Sequence, residues 1–159
     1  LIISVESFRS VVESAPLVSI DLCMVYDNKI LLGLRSREPL KDTWFTPGGR
    51  VRKNEPWQVC LRRIAQNELG YQIDDIGGFH LMGIWDHFYP NSSFDEYVST
   101  HYVNFPHFFQ LKEEPSFRHD YQHNSPKWFD LEEVANSDVF HMYMRNYAKW
   151  LIKRVINND

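Results

Sequence analysis

The chain has 159 residues, of which 43% are hydrophobic and 24% charged, and its formal net charge is −4. That length suits one globular domain with a sizeable core, which we expect to span residues 1–159. The negative charge argues against nucleic acid as a partner, because proteins that bind a phosphate backbone usually carry a basic surface.

Helices and strands alternate along the predicted chain. Apolar residues at helical spacing predict a first helix that Ser4 caps and Pro16 ends. A second helix is predicted to begin at an Asn54 cap and to stop at Gly70, because glycine favours the left-handed conformation that closes a helix. In chain order the pattern predicts helix 4–15, strands 17–26 and 30–34, a strand at Trp44, helix 55–69, strands 79–89, 100–111 and 127–130, and helices 131–135 and 139–156. This order predicts an α/β fold with a mixed β-sheet sandwiched between α-helices.

The cysteine content and the lengths of the apolar runs indicate the cellular compartment in which the protein works. Cys23 and Cys60 are the only cysteines, and both lie in apolar patterns typical of buried, reduced thiols. No apolar run reaches the roughly 18 residues of a membrane span, and the N-terminus lacks the pattern of a signal peptide. We therefore expect a cytoplasmic protein with no membrane partner.

The most informative stretch covers residues 44–71 and reads WFTPGGRVRKNEPWQVCLRRIAQNELGY. A glycine turn is followed at fixed spacing by Glu55, Arg63, Glu68 and Gly70. This arrangement is similar to the Nudix box, a loop-helix-loop that binds a metal on a nucleoside diphosphate substrate. We therefore expect the Nudix fold, with Glu55 and Arg63 forming an internal ion pair that fixes the loop onto the helix.

The box departs from the family pattern at two positions. The family carries an Arg-Glu pair and then a Glu-Glu pair, where this chain has Arg63-Ile64 and Asn67-Glu68. Helical spacings of three and four put Ile64, Asn67 and Glu68 on one face of the helix. One carboxylate and one amide cannot hold several divalent ions. They suit a single Mg²⁺ that also binds substrate phosphates and water.

Loss of these carboxylates also removes the usual catalytic base of the superfamily. The segment Asp120-Tyr121-Gln122-His123 is the best replacement. Gln122 offers a neutral oxygen to a metal ion, and His123 offers a base whose ordinary pKa of about 6.5 lies near working pH.

Further motifs resemble the GDP-mannose mannosyl hydrolase branch of the Nudix superfamily over nearly the whole chain. They are Pro16-Leu17-Val18-Ser19 before Asp21, Leu31-Leu32-Gly33 before Arg35, Trp44-Phe45 with Pro47-Gly48-Gly49-Arg50-Val51, Gly83, Trp85, His87-Phe88-Tyr89, Thr100-His101-Tyr102-Val103 and Gln122-His123. The resemblance implies hydrolysis of a nucleotide-sugar by a homodimer.

The resemblance also implies a role for each site residue. Gly48, Glu68 and Gln122 would bind one Mg²⁺ per subunit, and His123 would be the general base. Arg35 and Arg50 would neutralise the departing diphosphate through bidentate contacts. The remaining roles are a phosphate hydrogen bond for Tyr102, sugar contact or site orientation for Asp21 and His87, and guanine binding for Ile2, Ile3 and Phe8.

Water deprotonated by His123 would attack the anomeric carbon with inversion, releasing GDP and the free sugar. GDP-mannose and GDP-glucose both remain candidate substrates. Two other functions stay open. One is a Nudix pyrophosphatase that attacks phosphorus and releases GMP, and the other is a non-catalytic domain that binds a nucleotide-sugar.

Overall fold

Nine strands and four α-helices form the part of the chain that the computed structural model describes, residues 3–117 and 125–157. A short 3₁₀ turn covers Ile76–Gly78, and a π-helical segment, Ile152–Ile156, extends the last helix. In chain order the elements are α1 (Val5–Ser14), β1 (Leu17–Tyr26), β2 (Lys29–Leu34), β3 (Trp44–Phe45), β4 (Gly48–Arg50), α2 (Trp57–Leu69), β5 (His80–Leu81), β6 (Trp85–Tyr89), β7 (Thr100–Asn104), β8 (His107–Gln110), β9 (Lys127–Asp130), α3 (Leu131–Asn136) and α4 (Met142–Leu151).

Strand β1 is the centre of a mixed sheet, because its two halves pair with different neighbours. The half that begins at Leu17 lies between antiparallel β4 and parallel β7, and β6 extends that side. The half that ends at Tyr26 lies between antiparallel β2 and parallel β8, with β9 beyond β2 and β5 beyond β8.

The period-two alternation of β1 divides its side chains between two cores. Ile20, Leu22 and Met24 are buried in a cluster that includes the apolar face of α2. Cys23 and Val25 point the other way, into a cluster that includes α3 and α4. The predicted α/β fold with a mixed sheet sandwiched between helices is therefore confirmed, and Asp21 lies on the face that α4 covers.

Two long strands predicted from the sequence are each divided in two. The predicted strand 79–89 forms β5 and β6, and the predicted strand 100–111 forms β7 and β8. Both divisions occur near Pro106, which has no N–H to donate to a ladder but accepts a hydrogen bond from the Met82 N–H at 2.8 Å.

The predicted Asn54 cap of the second helix is wrong. Helix α2 begins at Trp57, and Pro56 occupies the N-cap position without a side-chain hydrogen bond. Asn54 has a φ of 63°, and the N–H of Glu55 donates to the carbonyl of Arg52, so this segment forms a turn. The C-terminal end is as predicted, since Gly70 caps α2 in the left-handed conformation.

Candidate active site

Two adjoining clefts open beside β4 and share the residues Arg35, Phe45, Thr46 and Gly48. We call the one of about 420 Å³ the outer cleft and the one of about 140 Å³ the inner cleft. The outer cleft is also lined by Gly33, Ser36, Arg37, Pro47, Asn67, Glu68, Leu69 and Pro126. The inner cleft is also lined by Ser19, Asp21, Pro39, Gly49, Arg50, His87, Tyr89, Tyr102 and Asn104.

Gly48 stands where the two clefts meet, directly opposite Asp21 in the β1–β4 pair. The neighbouring positions Leu22–Pro47 and Val18–Val51 are joined by backbone hydrogen bonds. Alternation of the ladder therefore makes Asp21–Gly48 a non-hydrogen-bonded pair, and β1 does not occupy the Gly48 carbonyl. A side chain at position 48 would collide with Oδ1 of Asp21, so this close approach requires glycine.

Helix α2 presents Glu68 and Asn67 to the outer cleft, one turn before Gly70 ends the helix. Ile64, the third position of the depleted box, is 1% exposed and packs in the apolar cluster under Gly49. On the helix face that these three residues were predicted to share, Ile64 therefore packs in the core, while Asn67 and Glu68 line the outer cleft.

The predicted ion pair between Glu55 and Arg63 is confirmed. Arg63 donates from Nε to Oε1 of Glu55 at 2.6 Å and from Nη2 to Oε2 at 2.9 Å. The same Nη2 donates to the carbonyl of Arg50 at 2.9 Å. This bidentate pair lowers the pKa of Glu55 to about 2. The pair connects the turn before α2 and the middle of α2 to β4, the strand that carries Arg50.

Two arginines bring positive charge to the inner cleft. Arg35 is held by a hydrogen bond from its Nε to the carbonyl of Pro39 at 2.8 Å, and the Arg50 guanidinium lies 4.9 Å from the centre of the Phe8 ring. Burial raises the pKa of Tyr102, while Arg35 and Arg50 act in the opposite direction. Arg35, Arg50 and Tyr102 all line the inner cleft, so one anionic ligand in it would meet two cations and a hydroxyl.

A buried polar network forms the floor of the inner cleft. Oδ2 of Asp21 accepts hydrogen bonds from Nδ2 of Asn104 at 2.5 Å and from the hydroxyl of Tyr147 at 2.8 Å. Burial raises the pKa of Asp21 to about 6, although these two donors and Arg35 lower it. His87 stacks on Tyr143 at 4.0 Å, and burial lowers its pKa to about 4, so the imidazole is neutral near pH 7.

Seven of the predicted site residues line the two clefts, namely Asp21, Arg35, Gly48, Arg50, Glu68, His87 and Tyr102. Three predicted residues, Ile2, Gln122 and His123, lie outside the described part of the chain. Ile3 is exposed, and Phe8 is half-buried and packs edge-on against Phe94 at 5.7 Å. Phe8 reaches the site through its contact with Arg50.

The donors in the outer cleft fit a divalent cation of the Mg²⁺ type. Glu68 supplies a carboxylate and Gly48 a backbone carbonyl on the wall of the same cleft, both hard oxygen ligands. Within residues 3–117 and 125–157 no group of three or more His, Cys, Asp or Glu side chains could hold a metal ion. The described donors therefore suit one sparsely held cation that completes its coordination with substrate and water.

Sequence reasoning missed Asn104, Tyr147 and Thr46. Asn104 carried a signal, because it is a polar residue between apolar neighbours in a predicted strand. Tyr147 carried none, since an aromatic residue on the apolar face of an amphipathic helix is typical of a core. Thr46 Oγ1 and Asn104 Oδ1 are buried without a hydrogen-bond partner among the described residues.

A larger groove of about 1100 Å³ lies elsewhere and is mostly apolar, with Trp57 stacked on His107 at 5.0 Å. None of the described residues predicted for the site lines it. Lys153 and Arg154 line this groove, but its one described carboxylate, Glu55, is paired with Arg63, so the lining offers no carboxylate for a cation and we do not assign the site to it.

Comparisons with known proteins identify the kind of domain. Residues 16–151 match the family model of the NUDIX domain. The chain is 34% identical over 142 residues to the low-salt glycan biosynthesis protein Agl8 of Haloferax volcanii, a match that covers 89% of this chain and 86% of the relative. No helix in the described ranges is both long and apolar enough to cross a bilayer.

Solved structures share the fold. The MutT NUDIX hydrolase of Burkholderia pseudomallei superposes with a TM-score of 0.66 at 24% identity, covering 87% of this chain and 99% of the other. A C. elegans Ap4A hydrolase superposes with a TM-score of 0.60 at 15% identity, covering 89% of this chain and 98% of that one.

Proposed function

This chain belongs to the Nudix family of hydrolases, and on that premise we propose that it hydrolyses GDP-mannose to GDP and mannose. We infer attack by water at the anomeric carbon with inversion, and we extend the proposal to GDP-glucose. The proposal treats residues 1–159 as a single catalytic domain.

One observation carries this proposal. The motifs that suggested a nucleotide-sugar hydrolase are dispersed over the sequence, yet Asp21, Arg35, Arg50, His87 and Tyr102 line one small cleft. That cleft joins the outer cleft at Gly48, beside the single helix carboxylate of Glu68. Two arginines beside a tyrosine suit a diphosphate, and a buried carboxylate beside a neutral imidazole suits sugar hydroxyls.

The depleted helix supports attack at carbon. Of the three positions that the resemblance assigns to carboxylates, one is buried Ile64, one is Asn67, and only Glu68 is acidic. Nudix hydrolases generally use Mg²⁺ or another divalent cation, and here Gly48, Glu68 and Gln122 would hold one. When bound, the cation would neutralise charge on the diphosphate.

Each of these side chains has a separate role in the proposed reaction. His123 would take a proton from water on the face of the sugar opposite GDP, and Arg35, Arg50 and Tyr102 would bind the oxygens of the leaving diphosphate. Single displacement inverts the configuration, so α-linked GDP-mannose yields β-mannose. A positioned base typically contributes about 10²–10⁴ in rate, and fixed charges aimed at the leaving group act in addition.

The comparisons support the substrate class at a coarser level. Nudix enzymes act on small-molecule nucleotide substrates, and the printed name of the Haloferax volcanii relative refers to glycan biosynthesis. A nucleotide-sugar is a small-molecule nucleotide and is also a compound suited to glycan biosynthesis. We also propose that the protein works in the cytoplasm as a homodimer, without nucleic-acid or membrane partners.

Incubation with GDP-mannose and Mg²⁺, followed by proton NMR, tests the proposal. We expect GDP and β-mannose as the first products. Release of GMP with mannose 1-phosphate would instead assign a pyrophosphatase. Saturable binding of GDP-mannose without turnover would assign a non-catalytic nucleotide-sugar-binding domain.

A further inference from the structure

The two carboxylate oxygens of Asp21 have different surroundings. Oδ2 accepts hydrogen bonds from Asn104 Nδ2 and from the Tyr147 hydroxyl, at 2.5 and 2.8 Å. Oδ1 lies against Gly48, where any side chain would collide with it. Asp21 and Gly48 both line the inner cleft. One oxygen is therefore fixed to the protein, and the other is directed toward the wall where the clefts meet.

The two donors come from distant parts of the chain and also bind one another. Asn104 ends β7 and Tyr147 lies on α4, and Nδ2 of Asn104 is 2.7 Å from the Tyr147 hydroxyl. His87 completes the group. Its Nδ1 is 3.3 Å from Nδ2 of Asn104, and its Nε2 is 3.3 Å from the Tyr147 hydroxyl. The four side chains are at most 6% exposed. Such enclosure fixes the orientation of the Asp21 carboxylate.

The orientation of Asn104 leaves one polar atom unsatisfied. Its Oδ1 is buried and has no hydrogen-bond partner among the described residues. Turning the amide over would place this oxygen against Oδ2 of Asp21, bringing two acceptors together. The fold therefore keeps an unsatisfied acceptor so that the N–H group can face the carboxylate. Apolar side chains in place of Asp21, Asn104 and Tyr147 together would fill the same space without that penalty, which points to a role beyond packing.

We propose that Asn104 and Tyr147 are positioning residues that hold Asp21 with Oδ1 directed at the sugar of the bound substrate. This inference rests on the proposed function, because it assigns the inner cleft to the sugar. Neither residue touches the substrate in this arrangement. Their effect on the reaction passes through Asp21, which makes the inference testable by coupling between substitutions.

A double-mutant cycle measures that coupling. Tyr147→Phe removes one hydroxyl and keeps the ring, and Asn104→Leu removes the amide while retaining similar volume. We expect each change to lower kcat/KM for GDP-mannose by about 10- to 100-fold, mainly through kcat, the range seen when groups that orient a site are removed. In an Asp21→Asn background the same changes should each cost less than about threefold, because the carboxylate that Asn104 and Tyr147 orient is already lost.

Tyr143→Phe is the matched control. Tyr143 lies one turn before Tyr147 and also stacks on His87, but its hydroxyl bonds to the backbone of Phe88 at 2.8 and 3.1 Å. We expect kcat/KM within about threefold of wild type for this variant. Melting temperatures of all variants show whether a loss of activity is a loss of folded protein.

Equal losses in the wild-type and Asp21→Asn backgrounds overturn the positioning role, whatever the reaction. If the wild type releases GMP, the proposed function fails, and the same cycle measured on GMP release still decides the role of Asn104 and Tyr147. If the wild type binds without turnover, the cycle is measured on the dissociation constant of GDP-mannose by calorimetry. A wild type that neither binds nor hydrolyses GDP-mannose overturns both inferences.

Discussion

The outer and inner clefts share a wall at Gly48 but are built in different ways. The outer cleft takes its acidic and amide groups from adjacent residues of one helix, Asn67 and Glu68. The inner cleft takes its polar groups from β1, β4, β6 and β7 and from Arg35, which follows β2, and it rests on Tyr147 of α4. The carboxylate and amide of the outer cleft form a local motif, whereas the polar groups of the inner cleft come together only after the strands have paired.

This difference indicates how the chain could change chemistry without changing its fold. Helix α2 carries Ile64 and Asn67 where the resemblance implies carboxylates, and it still packs through its apolar face. The inner cleft cannot lose a partner so easily, because an unpaired buried carboxylate would remain. We expect substitution of Glu68 to affect charge neutralisation, and substitutions of Asp21, Asn104 and Tyr147 to affect alignment of the sugar.

The largest expected effect belongs to the proposed base, His123, which lies outside the described residues. His123→Ala should lower kcat by about 10²–10⁴ with a small change in KM, because a base acts in the transition state. Steady-state kinetics with GDP-mannose measures this, with exposed His80→Ala as the control. A kcat near that of wild type would show that His123 is not the base, and His87 would then be the next candidate.

Glu68→Gln should lower kcat/KM by about 10- to 100-fold, and added Mg²⁺ should recover part of the loss, because a cation ligand is removed. Glu55→Gln is the matched comparison, since it makes the same chemical change on a carboxylate that is bound to Arg63. Titration of activity with Mg²⁺ distinguishes the two. Equal loss of activity at unchanged melting temperature would contradict this division of roles.

The sequence predicted local elements and the helix motif better than the buried network beneath the inner cleft. Strands 17–26 and 127–130, the end of α2 at Gly70 and the Glu55–Arg63 pair agree with the structure, because local periodicity and one motif encode them. Asp21 was predicted but its partners were not. Asn104 and Tyr147 lie 83 and 126 residues away from it, and such pairings follow from the sheet order rather than from any local pattern.

The Glu55–Arg63 pair should contribute stability rather than chemistry. Glu55→Gln should lower the free energy of unfolding by about 1–3 kcal/mol at pH 7. The folded-state pKa of Glu55 is lowered from 4.5 to about 2. The stabilisation is therefore present above pH 4.5 and is lost as the pH falls toward 2. Urea unfolding across this range should show the difference between wild type and variant shrinking, and a constant difference would contradict the assignment.

The smallest effect is expected where α1 meets the inner cleft. Phe8→Leu removes the ring beneath Arg50 and should raise KM about two- to fivefold, because a cation–π contact of this kind contributes about 0.5–1 kcal/mol. Val11→Ala, at an exposed position of the same helix, is the control. A larger loss in kcat than in KM would show that Phe8 acts through the chemical step.

Hydrolysis of GDP-mannose in ¹⁸O-labelled water tests the central claim most directly. Attack at the anomeric carbon breaks the carbon–oxygen bond, so all of the label should appear in mannose and none in GDP. Mass spectrometry of the two products, with a control for slow exchange at the anomeric hydroxyl, makes the measurement. Label in a phosphate group would show attack at phosphorus and contradict the account.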